Sequence, residues 1–488
     1  MERLLARIQD EMAGLDAEYA DLRYGEVERS YIRTKNGAPE EIRETVSRGV
    51  GFRVLAGGAF GFSATGDLTE KSLRRHLQKA HQMARSFSRI RHTEVKLVPV
   101  EPVKERWVMP VQKDPWKLSF KEKTAPFFAA EKELIRHPGV DSASSVLDCT
   151  RKKTVFISSE GSWIDQTLYR TGGWISGEAW VEPHRKVNGT GREKIRRSWP
   201  GPSGAFRAQG FEALEEMKFE EEVPRLAGEL AELRQSPGPP AGTFDLILKG
   251  SILALQIHET FGHASESDRV YGYEDNYGGR TFLNPGLLAG LPVASPAVTI
   301  VSDADPKGGA GSFCFDDEGV PHRRVEIIQK GIFTDYLTSR ETAFFLNRPH
   351  PSANMVARDW SHYPIIRMTN TSLMPGEGTL AELISGVEEG FLLDNEFSWS
   401  IDEMRFGFQI GAECGRRIEK GKTKGLVRFP VYHGNTIDFW RSCDRVAGRG
   451  EWGFWGFADC GKGGPYQEAF TGHGLAPARF RGVRFGRE

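Results

Sequence analysis

Residues 258–263 read His-Glu-Thr-Phe-Gly-His, which are the residue types that could hold a metal ion and activate water. Two imidazoles can bind one metal ion, and a carboxylate beside a ligand can act as a base toward water. In the more common zinc-peptidase pattern the histidines are four residues apart, about one helical turn. Here the separation is five, which on an ideal helix turns the imidazoles about 140° apart. The backbone must therefore be deformed between the histidines, and we expect Gly262 to allow this deformation by adopting conformations that other residues avoid.

The motif alone favours a metal site without establishing one. Histidines and a glutamate on a half-buried helix also occur as structural polar groups. The chain has 12 histidines among 488 residues, so a chance match to this pattern is expected in roughly a few per hundred such sequences. A further ligand elsewhere in the chain is needed to strengthen the hypothesis.

A catalytic zinc site has three protein ligands and an open position for water. Cys460 is a candidate third ligand, because it lies in the glycine-rich segment 457–465, where its sulfur could approach a metal. We expect Lys462 to help lower the pKa of this thiol. Glu266 and Asp268 are alternatives, either as ligands or as acceptors for an imidazole N–H. Since the five cysteines include no Cys-x-x-Cys pair, a disulfide framework is not indicated.

Length and composition restrict the class of protein. The 488 residues are about three times a typical domain of roughly 150 residues, which predicts two or three domains. A net charge of -1 and a pI near 6.9 argue against nucleic acid or an anionic membrane as partner. No apolar run approaches the roughly 20 residues of a membrane span, and the N-terminus lacks the features of a signal peptide. We therefore expect a cytoplasmic protein.

The pattern of elements predicts an α+β fold in two domains. The segment 236–242 is rich in proline and glycine and is the expected linker. It would separate an N-terminal domain of helices and antiparallel strands, residues 1–235, from a mostly antiparallel β domain, residues 243–488. Residues 251–261 predict a metal-binding helix that is buried on one face. Other helices are predicted at 1–17, 67–83 (with Asp67 as cap), 120–135 and 211–233. Strands are predicted at 20–33, 43–55, 60–63, 142–148, 153–158, 166–180, 243–248, 298–301, 324–328, 333–337, 391–393, 406–410 and 426–431.

The extended motif resembles that of a known family. Residues 258–268, His-Glu-Thr-Phe-Gly-His-Ala-Ser-Glu-Ser-Asp, are similar to the His-Glu-x-x-Gly-His-x-x-Glu-x-Asp signature of TldD/PmbA-type peptidases. Further likenesses lie at residues 49–54, 60–62, 240–242, 316–321 and 460–462. The resemblance covers nearly the whole chain and is loosest between about residues 95 and 230.

The resemblance implies zinc held by His258, His263 and Cys460, with Glu259 as catalytic base. It also implies digestion of peptides or unfolded polypeptide segments inside a cavity formed by two subunits. The dimer is expected to be a homodimer or a heterodimer with a related subunit that lacks the metal motif. Because this chain keeps the motif, it resembles the active type of subunit. It departs from the family at residues 463–467, where Gly-Gly-Pro-Tyr-Gln replaces a more usual acidic residue and glutamine, which affects expected substrate contacts there.

The expected reaction is metal-assisted hydrolysis of an amide, with Glu259 taking a proton from water and passing it to the leaving nitrogen. The candidates for stabilising the oxyanion are His362, Tyr363, Tyr432 and His433. Two alternatives are a non-catalytic peptide-binding protein with a structural zinc and a zinc hydrolase of a small amide. Base deamination is not indicated, since no Pro-Cys-x-x-Cys accompanies the motif.

Overall fold

The structure is a computed structural model that describes residues 1–181, 193–286, 290–305 and 308–486. The helices are α1 (Glu2–Ala13), α2 (Glu70–Phe87), α3 (Phe120–Arg136), α4 (Glu212–Glu216), α5 (Phe219–Leu233), α6 (Gly250–Ile257), α7 (Ser267–Val270), α8 (Arg340–Phe345), α9 (Leu380–Ser385) and α10 (Thr436–Arg441).

The strands of the N-terminal half are β1 (Tyr19–Lys35), β2 (Ala38–Leu55), β3 (Phe60–Thr65), β4 (Lys104–Val108), β5 (Ser142–Ser158), β6 (Trp163–Val181), β7 (Glu193–Trp199) and β8 (Ala205–Arg207). The C-terminal half has β9 (Gly242–Leu248), β10 (Ile300–Asp303), β11 (Arg324–Gln329), β12 (Ile332–Phe333), β13 (Met355–Val356), β14 (Ile365–Ile366), β15 (Thr371–Leu373), β16 (Glu389–Leu393), β17 (Glu396–Ile401), β18 (Gly407–Ala412), β19 (Cys414–Glu419), β20 (Lys422–Arg428), β21 (Val431–Asn435), β22 (Cys443–Val446), β23 (Gly453–Lys462), β24 (Gln467–Leu475) and β25 (Ala478–Phe485).

A sheet of long strands organises the N-terminal half. Its order is β3-β2-β1-β5-β6-β4, with β7 and β8 also paired to β6. One face is apolar: Val50 and Phe52 pack with helices α1 and α2, as alternation along a strand requires. On the opposite face Gly49 and Gly51 approach Trp360 closely, since an added Cβ would lie 2.3 Å from that residue at either position. This face therefore receives the C-terminal half.

The C-terminal half contains several smaller sheets around a second core. The largest has the order β17-β18-β21-β25-β9-β16-β19-β20, with β22 on β25, and only β9 and β16 among its pairs run parallel. The others are β12-β11-β10-β15, β13-β14 and β23-β24. The α+β class with mainly antiparallel sheets is thus confirmed. All eight residues of α6 are buried, so the prediction of a helix buried on one face is wrong. The helix lies between β sheets and has no solvent face.

Several predicted elements differ from those in the structure because single residues interrupt or join them. The expected helix at 211–233 is divided at Lys218, which has φ of 49°. The strand predicted at 426–431 ends at Arg428, because Phe429 has φ of 46° and Pro430 follows. The strand expected at 333–337 is two residues long, and 142–158 is one continuous strand. Helix α2 is capped by Thr69, whose side chain accepts from Ser72 N–H, and not by Asp67.

Buried ion pairs join the N-terminal sheet to the C-terminal half. Arg53 lies 2.5 Å from Asp21, which is in the same sheet, and 2.9 Å from Glu318 of the C-terminal half. Lys152 of the sheet likewise contacts Asp317 of the C-terminal half at 3.3 Å. Residues 236–241 have no regular secondary structure, and the domain boundary there stays a prediction. Within the described ranges, no helix has the length and apolarity that crossing a bilayer requires.

Candidate metal centre

The backbone leaves the α-helical path between the two motif histidines. Helix α6 ends at Ile257, and residues His258–Gly262 form a π turn in which the N–H of His263 donates to the carbonyl of His258. A π turn contains one more residue than an α turn, so residues five apart come to the same side. The two imidazole rings accordingly lie 4.7 Å apart, centroid to centroid.

Cys460 reaches the same point from strand β23. The pairing with β24 shifts in register between Phe457 and Cys460, which re-aims the side chains at this bulge. One ligand atom from each of His258, His263 and Cys460 lies within 4.8 Å of the other two. Cys460 Sγ is 3.6 Å from His263 Nε2. Two ligands of a tetrahedral zinc, at about 2.3 Å for sulfur and about 2.0–2.1 Å for nitrogen, are about 3.5 Å apart. The donor set and its spacing therefore fit zinc.

Hydrogen bonds on the far side of each imidazole fix which nitrogen is free. The backbone carbonyl of Thr371 can only accept, so His473 Nδ1 donates to it at 2.8 Å and His473 Nε2 is an acceptor. His258 Nδ1 lies 2.9 Å from that nitrogen and must donate to it. His263 Nδ1 lies 2.9 Å from a carboxylate oxygen of Glu266 and donates likewise. Both motif histidines therefore present an unprotonated Nε2 to the centre, as metal ligation requires.

The carboxylates that the sequence offers as alternative ligands belong to a buried ionic cluster. Glu266 accepts from Arg269 at 2.9 Å, and Lys462 lies 3.2 Å from it. Lys462 also bonds Asp268 at 2.7 Å and is fully buried. In the part of the chain that the structure describes, the group able to hold a metal contains neither Glu266 nor Asp268. Glu266 instead orients His263, and Asp268 neutralises Lys462.

Burial and nearby charges set the protonation of the ligands. Burial lowers the pKa of both His258 and His263, which keeps the imidazoles neutral. Burial alone raises the pKa of the Cys460 thiol, but the nearby Arg367 guanidinium acts in the opposite direction and the pKa is lower than usual. The prediction that Lys462 has this effect is wrong, because that side chain points to Asp268 and Glu266. Arg367 approaches instead, since its guanidinium donates to the carbonyl of Cys460.

Glu259 lies next to the first ligand and pairs with a residue that sequence reasoning missed. Arg405 Nη1 is 3.0 Å from Glu259 Oε2, and the two side chains are 14% and 12% exposed, respectively. The second terminal nitrogen of Arg405 donates to the carbonyl of Gly278 at 2.9 Å. Since 146 positions separate the two partners, no local pattern could have indicated the pair.

Three of the four oxyanion candidates make side-chain contacts elsewhere, and the Nε2 of the fourth, His433, has no hydrogen-bond partner among the described residues. His362 Nδ1 lies 2.9 Å from Asp359, and Tyr363 packs edge-on against Phe60 and Phe62 at the N-terminal sheet. Tyr432 donates to Gln256 at 2.9 Å within the core. His433 lies on strand β21, opposite Gln409. Their role in oxyanion stabilisation stays a prediction.

Gly262 has a different role from the one its position suggests. Its φ of -60° and ψ of -67° lie in the right-handed region, so no left-handed conformation is used there. A Cβ at this position would lie 2.1 Å from the sulfur of Met368, a buried residue. The glycine is thus needed for close packing against the π turn.

Comparison with known proteins agrees with this geometry. Residues 241–486 match the family model described as the PmbA/TldA metallopeptidase C-terminal domain. The chain belongs to the PmbA/TldD metallopeptidase family. Residues 20–84 match domain 1 of the same family. The expected family is thereby confirmed.

Named relatives span nearly the whole chain. A metalloprotease of Methanothermobacter thermautotrophicus is 29% identical over 473 residues, covering 96% of this chain and 95% of that protein. A metalloprotease TldD homologue of Haemophilus influenzae is 24% identical over 94% of this chain and 91% of its own. Among solved structures, TldE from Thermococcus kodakarensis has a TM-score of 0.70 at 15% identity, covering 100% of both chains. A candidate modulator of a DNA gyrase from Thermotoga maritima has a TM-score of 0.74 at 19% identity, covering 99% of both. Both solved structures have the same fold as this chain.

Proposed function

We propose that the protein is a zinc-dependent peptidase that hydrolyses peptide bonds in peptides or unfolded protein segments. One observation carries the proposal: a buried His-His-Cys donor set with zinc spacing lies beside a partly exposed glutamate. The metalloprotease names of the relatives support the same class of reaction. His258 Nε2, His263 Nε2 and Cys460 Sγ would hold the ion.

The residues of the chain supply the proton transfers. When bound, zinc would lower the pKa of a water molecule and polarise a carbonyl group. Glu259 takes a proton from the attacking water and delivers it to the leaving nitrogen. Helix α6 is buried along its whole length and Cys460 itself is buried, so the inner side of the centre is shielded from bulk water.

A space next to the centre is large enough for side chains of a peptide. A cavity of about 250 Å³ lies between the N-terminal sheet and the β23–β24 hairpin, and Met368 and Ala458 are part of its wall. Met368 contacts Gly262, and Ala458 is two residues from Cys460. Such a cavity admits side chains of a peptide and excludes a folded domain. We further propose that the protein acts as a homodimer or with a related subunit that lacks the metal motif.

We also propose a cytoplasmic location. The five cysteines are free in the structure, and a reducing compartment keeps such thiols, including that of Cys460, available.

Glu259→Gln tests the proposal, because glutamine keeps the shape and can still accept from Arg405 but cannot take a proton. We expect cleavage of a peptide library by the zinc-loaded protein to fall by roughly 10²–10⁴-fold while zinc stays bound at wild-type stoichiometry. Glu341→Gln, which changes a carboxylate on helix α8, is the matched control and should cleave normally. Unchanged cleavage in Glu259→Gln, or no cleavage by the wild type, would leave a non-catalytic peptide-binding role instead.

A further inference from the structure

We propose that Arg405 is a catalytic residue that binds the oxyanion formed during peptide hydrolysis. This inference rests on the proposed function and adds to it a cationic group that would stabilise the oxyanion and that is not among the four candidates from the sequence. Arg405 lies on the loop between β17 and β18, and its guanidinium reaches the carboxylate of Glu259. A scissile carbonyl attacked by water beside Glu259 would therefore lie within reach of the same guanidinium.

The guanidinium has a donor to spare. One terminal nitrogen bonds Glu259 at 3.0 Å and the other bonds the carbonyl of Gly278 at 2.9 Å. The Nε–H has no partner among the described residues, but it is buried and out of a substrate's reach. Each terminal nitrogen carries a second N–H besides the bond it makes, and the side chain is 14% exposed. An oxyanion is an acceptor that could take such a second N–H.

The loop that carries Arg405 is held in an unfavourable conformation. Arg405 has φ of 60°, a left-handed value that costs energy in a residue with a Cβ. Asp402 accepts from the N–H groups of Phe406 and Gly407 at 2.8 and 2.6 Å, and Thr436 donates to the carbonyl of Arg405 at 2.9 Å. These bonds hold Arg405 in its left-handed conformation, so the guanidinium is in position before substrate arrives. Such positioning is the condition for electrostatic stabilisation of a transition state.

Charge balance also favours a second cation here, in addition to the metal ion that the three ligands would hold. The water oxygen bonds the carbonyl carbon and gives a proton to Glu259, while the C=O electron pair moves to the carbonyl oxygen. The electron pair of the oxyanion then re-forms the C=O bond as the C–N bond breaks, the C–N electron pair goes to nitrogen, and nitrogen takes the proton from Glu259. While the water proton is still moving to Glu259, a carboxylate and a developing oxyanion lie close together and repel each other. Among the described residues, Arg405 is a cation in contact with Glu259. Its charge therefore offsets both the carboxylate and the developing oxyanion.

The experiment compares binding of a reaction-state mimic with binding of substrate. Zinc-loaded wild type, Arg405→Ala and Arg405→Lys are assayed with a cleaved peptide and with the phosphinic peptide of the same sequence, whose anionic tetrahedral group imitates the oxyanion. In Arg405→Ala we expect zinc stoichiometry to be retained and kcat to fall by about 10²–10³-fold with KM within about threefold. The Ki of the phosphinic peptide should rise by a factor similar to the loss in kcat/KM. Millimolar guanidinium should restore part of the rate, and lysine should recover part of it.

Arg280→Ala is the control, because Arg280 is an exposed arginine that pairs with Asp275 near the same loops. It should change none of these constants. The inference is overturned if Arg405→Ala weakens the phosphinic peptide and the substrate equally, as a structural role requires. It is also overturned if only peptides with a free C-terminal carboxylate respond to the substitution, since Arg405 would then recognise that carboxylate. If the zinc-loaded wild type cleaves nothing, both the proposed function and this inference are overturned. If the wild type cleaves and Arg405→Ala behaves in one of the two ways above, only this inference is overturned.

Discussion

The two motif histidines are supported in opposite ways. His263 is oriented by an anion: Glu266 accepts from its Nδ1, and Arg269 and Lys462 surround that carboxylate. His258 is oriented by a neutral imidazole, His473, which is itself fixed by a backbone carbonyl. Burial lowers the pKa of His473 well below its usual value, and the neighbouring His258 lowers it further. One ligand thus has an ionic support and the other a neutral one.

The difference shows how the fold controls the charge of the centre. The carboxylate of Glu266 is paired with the cations Arg269 and Lys462, and Lys462 also pairs with Asp268. The support of His258 carries no charge. The negative charge that a bound ion would contact directly is therefore that of the Cys460 thiolate, and both supports can hold an imidazole in place without adding an anionic ligand.

The largest effect is expected when a ligand itself is removed. His258→Ala, His263→Ala and Cys460→Ala should each abolish stoichiometric zinc, because two remaining donors are too few for a stable site. Zinc content after dialysis, measured by plasma mass spectrometry, checks this. Cys443→Ala, which changes another buried cysteine, is the control and should keep zinc. Full zinc retention in Cys460→Ala would mean that Cys460 is not a ligand and that Glu266 or Asp268 is the third ligand.

The supports should differ in strength, and this is the direct test of the comparison. Glu266→Gln removes an anion from between Arg269 and Lys462, so we expect zinc affinity to fall about 100-fold and the melting temperature to drop. His473→Gln exchanges a neutral imidazole acceptor for a neutral amide acceptor of different shape, and we expect a fall nearer 10-fold with a smaller thermal effect. Chelator competition and thermal unfolding on the same samples measure both. Equal losses in the two variants would show that the charge of the support does not matter.

Acid should destabilise the metal-free protein through these histidines. The pKa values of His258, His263 and His473 are all lowered by burial. Below about pH 6.5 the unfolded chain takes up protons that the folded chain does not, so stability falls as the pH decreases. Each group contributes up to about 1.4 kcal/mol per pH unit. Denaturant unfolding of the zinc-free protein between pH 7.5 and 5.5 measures the slope. His473→Gln should reduce it, and a slope unchanged by that substitution contradicts the assignment.

Local patterns predicted the elements, and long-range contacts decided the site. Helix α3 begins at residue 120 as predicted and ends one residue after the predicted end, and alternation located β1 and β2. By contrast, His473 is 215 positions from His258, and no spacing rule connects them. The same holds for Arg405 and Glu259. Such pairs depend on how the β23–β24 hairpin and the β17–β18 loop pack on α6, which a single sequence does not state.

The smallest effect on zinc is expected at Gly262, between the two differently supported ligands. The five-residue spacing suggested that a side chain here would disturb metal binding through the backbone. The right-handed φ of Gly262 and its contact with Met368 indicate a packing constraint instead.

Gly262→Ala should therefore cost about 1–3 kcal/mol of folding free energy by overpacking, while the zinc affinity of the folded protein stays within about threefold of wild type. Met368→Ala makes room for the new methyl group, so the double variant should be more stable than the sum of the single effects predicts. Zinc affinity and unfolding free energy of all four proteins decide the question. A large loss of affinity in folded Gly262→Ala would show that the π turn itself depends on glycine.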